Sequence, residues 1–189
     1  MNSWKNFLDP LIFLWVLFFA YWIASARGTK PTAYRVNPVW RWVTVIGIFL
    51  IVRFWNFDSP LFNRSLVEQT PTTEAVGVVI CAAGFAFAIW ARRTLATNWS
   101  AEPTIKEGHE LITAGPYRLV RHPIYTGILV ALLGTELVGG RVKNLFLVLF
   151  AVVILYVKLR IEESLMMRQF PQAYADYKAR TKTLIPYVI

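Results

Sequence analysis

The chain has 189 residues, of which 56% are hydrophobic and only 16% are charged, whereas charged residues make up roughly a quarter of an ordinary soluble domain. Apolar stretches of membrane length recur along the whole sequence, which excludes a disordered chain, a disulfide-stapled domain and a soluble protein with one anchor. The formal net charge of +9 could indicate a nucleic-acid partner. The basic residues flank apolar segments, however, which favours membrane orientation and contact with anionic lipids. We therefore predict a polytopic membrane protein with no nucleic-acid partner.

Cysteine and histidine usage limits the kinds of site that the chain can build. The single cysteine, Cys81, lies inside an apolar run, so the chain cannot form an intrachain disulfide. The two histidines have no cysteine partners, which argues against a structural zinc site. We accordingly expect no metal.

Long apolar runs without alternation predict an all-α integral membrane fold with five transmembrane helices in one domain. We place these helices at about residues 11–26, 40–57, 75–91, 123–139 and 144–157. The fourth and fifth have uncharged stretches of about 14 residues, or roughly 21 Å against a hydrocarbon core of about 30 Å. These two helices are therefore expected to form a short, shallow hairpin, with its turn at Gly139 and Gly140.

The distribution of basic residues predicts how the chain is oriented in the membrane. Basic residues are concentrated in the first connection and after the third helix, so both regions are expected in the cytoplasm. The N-terminus then lies outside, and the C-terminal segment is cytoplasmic. Arg141 and Lys143, at the tip of the hairpin, do not fit this pattern, so either the hairpin does not fully cross or its tip is an exception. The orienting residues are Arg27, Lys30, Arg35, Arg41, Arg92 and Arg93.

A polar loop at residues 97–125 contains both histidines, and loops of this length are often functional. Its end, His122 and Pro123, opens the fourth helix, and helix N-termini offer free N–H groups to an anion. Arg121 just before it could grip a carboxylate bidentately. These residues suggest an anionic ligand near the membrane surface. In the alternative interpretation, His122 is a cap or packing residue, Arg121 is a snorkelling charge, and the loop aromatics belong to the interfacial belt: Trp99, Tyr117 and Tyr125.

A second polar piece begins where the fifth helix leaves the bilayer. Lys158 and Glu162 are four residues apart and share one helical face, whereas Arg160 points elsewhere. This pattern fits either a solvated helix end or a binding site. Pro171 then interrupts the segment. The sequence has no P-loop, dinucleotide-binding glycine turn or zinc-protease helix.

Five short motifs follow one another in the C-terminal half, from about residue 91 onwards. They are Asn98-Trp99-Ser100, Gly108-His109-Glu110-Leu111-Ile112, Gly115-Pro116-Tyr117, Arg121-His122-Pro123-Ile124-Tyr125, and Glu162-Glu163 followed by Tyr174, Tyr177 and a closing Leu184-Ile185-Pro186. Each motif alone is weak, but the ordered set with these spacings is specific. The set resembles the isoprenylcysteine carboxyl methyltransferase family, which belongs with the membrane phospholipid methyltransferases. The first ninety residues match that family only as apolar helices.

The resemblance implies a cytoplasm-facing pocket for S-adenosylmethionine, made by the loop before the fourth helix, the hairpin and the C-terminal segment. It divides the domain, residues 1–189, into a membrane scaffold at 1–91 and a catalytic part at 92–189. The implied cofactor-binding residues are His109, Glu110, Leu111, Ile112, Tyr117, His122, Pro123, Ile124 and Tyr125. Lys158 and Glu162 are the implied substrate-binding residues, and Arg121, Arg160 and Glu162 the catalytic ones.

Two positions depart from the family pattern. Lys158 stands where an arginine is expected, although Arg160 follows two positions later, and Phe170-Pro171 replaces a common Phe-Gly. Both changes concern the substrate end of the implied pocket. They leave open whether Lys158 or Arg160 positions the acceptor.

The expected reaction is O-methylation of an isoprenylcysteine-type carboxylate on a lipidated substrate that enters from the bilayer. Such a carboxylate is already a nucleophile near neutral pH and needs a cation to place it, for which Lys158 and Arg160 are candidates. A first alternative is N-methylation of an ethanolamine phospholipid, with Glu162 as the base. An NADPH-dependent sterol-type reductase and a non-enzymatic membrane scaffold are two further alternatives.

Overall fold

The computed structural model describes residues 5–35, 46–47 and 59–186. Its helices are α1 (Lys5–Ser25), α2 (Pro71–Leu95), α3 (Pro123–Gly139), α4 (Val142–Gln169) and α5 (Pro171–Arg180). Two short strands, β1 (Thr32–Arg35) and β2 (Thr104–Lys106), pair antiparallel, and single 3-10 turns occupy Ala96–Asn98 and Gly115–Arg118. The described chain is mostly helical, as expected, but the all-α prediction missed this small sheet. The predicted second helix, residues 40–57, lies outside the described residues except for 46–47.

Helix lengths differ from the sequence-based expectation at the fifth helix. Within the described residues, two helices are long and apolar enough to cross a bilayer, namely the stretch Pro71–Asn98 and α4. The apolar part of α1 and the 17 residues of α3 are shorter. The predicted fifth helix, 144–157, is too short, because α4 continues for 28 residues through its charged end. Charged residues such as Lys158 retain good helix propensity, and only Pro171 forces a break.

The turn between α3 and α4 is confirmed where the two glycines predicted it. Gly140 follows the last residue of α3 with a φ of +55°, and its amide caps the helix by donating to the carbonyl of Glu136. Glycine adopts this left-handed conformation without a steric penalty. The turn therefore joins α3 and α4 as an antiparallel hairpin, although α4 is much the longer arm.

Helices α2 and α3 pack backbone against backbone through glycines. A Cβ atom added to Gly84 of α2 would lie 2.5 Å from the amide nitrogen of Ala131 and 2.6 Å from the carbonyl oxygen of Gly127 on α3. Gly77 of α2 and Gly134 of α3 make the same kind of close backbone contact at a second point along the two helices. Small residues allow such close approach in lipid, where packing contacts hold helices together. This pair forms the centre of the bundle.

Helix α1 packs on this central pair with aromatic rings. Phe18 stacks on Phe85 of α2 at a centroid distance of 4.3 Å, and Trp15 meets the same ring edge-on at 4.8 Å. The Trp15 indole N–H also donates to the Thr135 hydroxyl of α3 at 3.1 Å. The three helices consequently share one core, which supports the polar end of the molecule.

A buried polar network ties the C-terminal segment to the start of α3. The Arg121 Nε donates to Glu163 Oε1 at 2.7 Å, and its Nη2 donates to the Thr183 hydroxyl at 2.7 Å. Its Nη1 donates to the carbonyls of Thr181 and Lys178. The Lys178 ammonium binds the other oxygen of Glu163 at 3.1 Å. One arginine and one carboxylate therefore hold α4, α5 and the chain after α5 at the same point.

Overpacking provides a test of the glycine contact. We expect Gly127→Val to lower the free energy of unfolding by roughly 1–3 kcal/mol, since a Cβ at this position would lie 2.6 Å from the Gly84 carbonyl oxygen and 2.7 Å from the Ala88 amide nitrogen. Thermal unfolding in detergent measures the change. Ala86→Val, on an exposed face of α2, is the matched control. Equal melting temperatures for the two variants would contradict the close packing.

The two adjacent glutamates of α4 allow a matched test of the buried network. Glu163→Ala leaves the Arg121 charge buried without its carboxylate, which costs about 3–5 kcal/mol when an ion pair is well buried. The Glu162 side chain is 25% exposed against 6% for Glu163, so Glu162→Ala should cost much less. Denaturant unfolding and hydrogen exchange in α5 measure the difference. A smaller effect for Glu163→Ala than for Glu162→Ala would show that the network does not anchor α5.

Candidate functional site

A cavity of about 290 Å³ lies at the polar end of the helix bundle. It is enclosed by the loop after α2, the start of α3, the middle of α4, and α5. The sequence-predicted residues on its wall are His109, Glu110, Leu111, Ile112, Tyr117, Arg121, His122, Ile124, Tyr125, Lys158 and Glu162. The structure therefore brings together residues that lie more than fifty positions apart in the sequence.

Two sequence-predicted site residues do not line this cavity. Pro123 is buried as the first residue of α3, where proline suits the helix start, and it supports the neighbouring His122. Arg160 is exposed on α4 and lies off the cavity wall. The helical spacing explains this difference, since Arg160 stands two residues away from both Lys158 and Glu162 and so faces another side. Lys158 is the basic residue of α4 that the structure places at the cavity.

His122 sits between carboxylates and does not cap α3 through its side chain. Its Nδ1 lies 3.7 Å from Glu162 Oε2, and its Nε2 lies 3.6 Å from Glu163 Oε1. Its ring also stacks on that of Tyr125 with an interplanar angle of 3° and a centroid distance of 5.4 Å. His122 therefore occupies the N-cap position of α3 without a side-chain capping bond, and its ring lies between the start of α3 and the two glutamates of α4.

The Glu162 carboxylate is held by a neutral hydroxyl and by a positively charged ammonium. The Tyr125 hydroxyl donates to Glu162 Oε1 at 2.6 Å, and the Lys158 ammonium lies 3.8 Å from the same oxygen. Lys158 also donates to the carbonyl of Ala101 at 2.8 Å and lies 5.3 Å from the centre of the Tyr125 ring. A carboxylate, an ammonium and a phenol thus meet on one patch of the cavity wall.

Arg121 has a different role from the one predicted for it. The sequence suggested that its guanidinium grips an anionic ligand, but its donors are bound to Glu163 and to groups of the C-terminal segment. The side chain is only 6% exposed. Arg121 therefore anchors the wall of the cavity, and this geometry does not support its predicted catalytic role.

Two hydrogen bonds fix the loop over the cavity, one accepted by Asn98 and one accepted by His109. The Asn98 Oδ1 accepts from the Glu110 amide at 3.3 Å, and the Lys106 amide donates to the Nδ1 of His109 at 3.3 Å. Burial lowers the pKa of His109, and the charges of Lys30 and Lys106 lower it further. Both the lowered pKa and the hydrogen bond accepted by Nδ1 favour the neutral form of the His109 imidazole.

Buried tyrosines close the other side of the cavity. The Tyr177 hydroxyl donates to the carbonyl of Tyr117 at 2.7 Å, which links α5 to the 3-10 turn. Burial raises the pKa of Tyr177 to about 12 and raises the pKa of Tyr117 well above its usual value, with Glu162 adding to the effect on Tyr117. These phenols stay protonated at physiological pH, so they can donate hydrogen bonds but cannot act as bases.

Sequence reasoning missed several apolar residues of the cavity. Trp22 of α1, Ile128 of α3 and Leu155 of α4 line its inner side. Each belongs to a helix that reads as an ordinary apolar run, and only the packing of the helices shows which face meets the cavity. Trp99, for which the alternative interpretation was the interfacial belt, is only 8% exposed, lines the cavity and has its ring centre 4.4 Å from the Arg92 guanidinium.

Three comparisons place this chain among known proteins. It is 27% identical over 157 residues to the nickel-cobalt-cadmium resistance protein NccN of Alcaligenes xylosoxydans xylosoxydans, covering 82% of this chain and 66% of that protein. It is 30% identical over 86 residues to protein-S-isoprenylcysteine O-methyltransferase B of Arabidopsis thaliana, covering 44% and 43% of the two chains. The fold is similar to that of the eukaryotic intramembrane Ras methyltransferase ICMT (isoprenylcysteine carboxyl methyltransferase), with a TM-score of 0.55 and 22% identity, covering 82% and 55%.

The chain spans less than two thirds of the length of each of these three proteins. The sequence model of the phospholipid methyltransferase family matches residues 72–173, which is more than half of the chain. The matched range includes α2, the loop over the cavity, α3 and α4, and it therefore contains most of the cavity wall. The chain belongs to the phospholipid methyltransferase family and has the fold of a membrane methyltransferase.

Proposed function

We propose that the protein is an S-adenosylmethionine-dependent membrane methyltransferase that O-methylates the carboxylate of an isoprenylcysteine-type lipidated substrate. The observation that carries the proposal is that one cavity joins the loop over the site, the start of α3 and the charged patch of α4. The relative from Arabidopsis thaliana, which is named for this reaction, supports the choice of acceptor. The proposed orientation has the cavity in the cytoplasm and the N-terminus outside, as the basic residues predict.

The size and the lining of the cavity support S-adenosylmethionine as the proposed cofactor. Its volume of about 290 Å³ is close to the lower end of small-molecule sites, which run from about 300 to 1,000 Å³. Tyr117 and Tyr125 offer aromatic faces, which attract a sulfonium by about 0.5–2 kcal/mol. The carboxylate of Glu110 offers acceptors for an amino group or ribose hydroxyls, and Leu111 and Ile112 offer apolar contact for an adenine ring.

When bound, S-adenosylmethionine would supply a methyl group on a positively charged sulfur. The task of the protein is then to align the acceptor, and orientation of this kind can contribute about 7–11 kcal/mol to the lowering of the barrier. Lys158 is the cation at the cavity that can attract and place an acceptor carboxylate. Glu162 and the Ala101 carbonyl fix the Lys158 ammonium, and Tyr125 fixes Glu162 in turn.

The inner side of the cavity suits the apolar part of a lipidated acceptor. Trp22, Ile128 and Leu155 carry its wall into the apolar helices α1, α3 and α4. A hydrocarbon chain in the bilayer can contact these residues while its polar end reaches Lys158. The polar and apolar parts of the cavity therefore match the two parts of the proposed substrate.

Glu162 keeps a second candidate reaction open. N-methylation of an ethanolamine phospholipid needs a group that accepts a proton from the ammonium, and the Glu162 carboxylate lies at the cavity with its side chain partly exposed. The name of the matched family also favours a phospholipid acceptor. The two reactions differ in their products, because mild base releases methanol from a methyl ester but does not cleave a methylated amine.

Two neighbouring basic residues of α4 provide the test of the proposed function. We expect purified protein in nanodiscs to transfer labelled methyl groups from S-adenosylmethionine to an isoprenylcysteine analogue, with the label released by mild base. Lys158→Met should lower kcat/KM for the acceptor about tenfold or more, because it removes the basic side chain that α4 contributes to the cavity. Arg160→Met removes the same charge from the exposed side of the helix and should have little effect.

The outcomes separate the alternatives. Base-stable label on an ethanolamine lipid would favour the phospholipid reaction, with Glu162→Gln abolishing it. Calorimetric binding of NADPH without binding of S-adenosylhomocysteine would indicate a reductase. Failure to bind S-adenosylhomocysteine more tightly than millimolar, with no methyl transfer to either acceptor, would contradict the methyltransferase proposal.

A further inference from the structure

We propose that Lys30, in the connection between α1 and β1, is a positioning residue of the cofactor loop, which we define as residues 98–112. It acts by fixing Asn98 and Gly108, and the inference rests on the proposed function. Lys30 lies outside the range matched by the family, residues 72–173, so the family comparison does not assign it any role. The structure nevertheless brings it from the N-terminal part of the chain to the loop that covers the cavity.

The Lys30 side chain joins two points of the cofactor loop that are ten residues apart. Its ammonium donates to the Gly108 carbonyl at 2.6 Å and to Asn98 Oδ1 at 3.1 Å. Asn98 is buried, and its Oδ1 also accepts from the Glu110 amide at 3.3 Å. One ammonium therefore sets the position of the Asn98 amide that in turn holds the Glu110 backbone at the cavity.

Backbone pairing brings the ammonium to this place. The Lys30 amide donates to the Thr97 carbonyl at 3.0 Å, and the Glu107 amide donates to the Pro31 carbonyl at 3.0 Å. Strands β1 and β2 continue this antiparallel pairing directly after Pro31 and before Glu107. These backbone bonds do not depend on the Lys30 side chain. Removal of the ammonium should therefore loosen the part of the loop beyond β2 without detaching the connection.

The Gly108 carbonyl depends on Lys30 for a reason of local geometry. Gly108 adopts a φ of +56°, which forms the turn that leads from β2 into the cavity-lining residues. Gly108 lies beyond the end of β2, outside the strand pairing, and its carbonyl accepts from the Lys30 ammonium. An ammonium donor gives a charge-assisted bond, which is stronger than a neutral one. Lys30 consequently stabilises the turn that aims residues 109–112 at the ligand.

The charge of Lys30 also acts on His109. Burial is the main cause of the low pKa of His109, and the charges of Lys30 and then Lys106 lower the pKa further, while Glu110 raises it. Loss of the Lys30 charge therefore raises the pKa of His109. This effect reports the distance between the ammonium and the cofactor loop without any ligand.

Lys30 does not line the cavity, whereas Asn98, His109 and Glu110 do. Its effect should therefore appear in cofactor binding and not in turnover. We expect Lys30→Met to weaken S-adenosylhomocysteine binding about tenfold and to raise KM for S-adenosylmethionine similarly, with kcat at saturation changed by no more than about twofold. Lys30→Arg keeps a cationic donor and should restore most of the affinity. Arg27→Met, exposed in the same connection, is the matched control and should bind like the unaltered protein.

The affinity results decide the inference if the unaltered protein binds the ligand. Affinity of Lys30→Met within about twofold of the Arg27→Met control, or a loss confined to kcat, would overturn the positioning role while leaving the proposed function intact. Failure of Lys30→Arg to recover any affinity would also count against it. Absence of binding by the unaltered protein would be a failure of the proposed function, and a ligand-free measurement then decides the inference.

That measurement is a histidine titration by nuclear magnetic resonance, together with amide hydrogen exchange of the cofactor loop. Lys30→Met should raise the pKa of His109 and speed exchange of the Glu110 amide, while Arg27→Met changes neither. The titration reports that the Lys30 charge lies near His109, and the exchange rate of the Glu110 amide reports whether the ammonium holds the loop in place. Unchanged titration and exchange in Lys30→Met would overturn the inference whether or not the protein binds the ligand.

Discussion

The buried pair of Arg121 and Glu163 determines whether this chain has a site at all. Burying two charges costs several kcal/mol per ion unless further hydrogen bonds satisfy them. Here the guanidinium also binds Thr183 and two carbonyls after or within α5, and Lys178 binds the second oxygen of the carboxylate. The C-terminal segment is thereby held over the start of α3. Without it the cavity would lack the wall that carries two of its tyrosines.

The rest of the molecule provides a rigid base for that arrangement. Helices α2 and α3 touch through glycine backbones, and this close contact restricts how the two helices can move relative to each other. The loop over the cavity follows α2 directly, and His122 precedes α3 directly. Close packing in the apolar part therefore fixes the two polar pieces that face each other across the cavity. The apolar segments of the sequence therefore form the scaffold, and the polar segments form the walls of the cavity.

Much of the site could be predicted because its residues stand in short polar motifs within an apolar chain. A polar residue near a membrane-embedded helix is costly unless it has a partner, so the loop and the charged end of α4 were the places where a site was expected. Tyr125 and His122 were predicted for the cofactor site and Glu162 for the substrate end, and the structure places the three side chains in contact. Helical spacing placed Lys158 and Arg160 on different faces of the helix, but the sequence left open which of them positions the acceptor.

The parts that could not be predicted depend on contacts that leave no local pattern. The length of α4 was underestimated, because charged residues mark where a helix leaves the bilayer and not where it ends. Arg121 was assigned to a ligand, because its true partners come from residues about sixty positions later in the chain. Trp22 and Lys30 reach the site only through the packing of α1 and the pairing of β1 with β2.

We expect the cofactor loop, the start of α3 and the middle of α4 to bind one ligand between them. Hydrogen–deuterium exchange of the protein in nanodiscs, with and without S-adenosylhomocysteine, tests this claim most directly. The account predicts that the ligand protects residues 98–112, 122–125 and 155–166 together, in proportion to its occupancy. Protection confined to one of these segments, or no protection at saturating ligand, would contradict it.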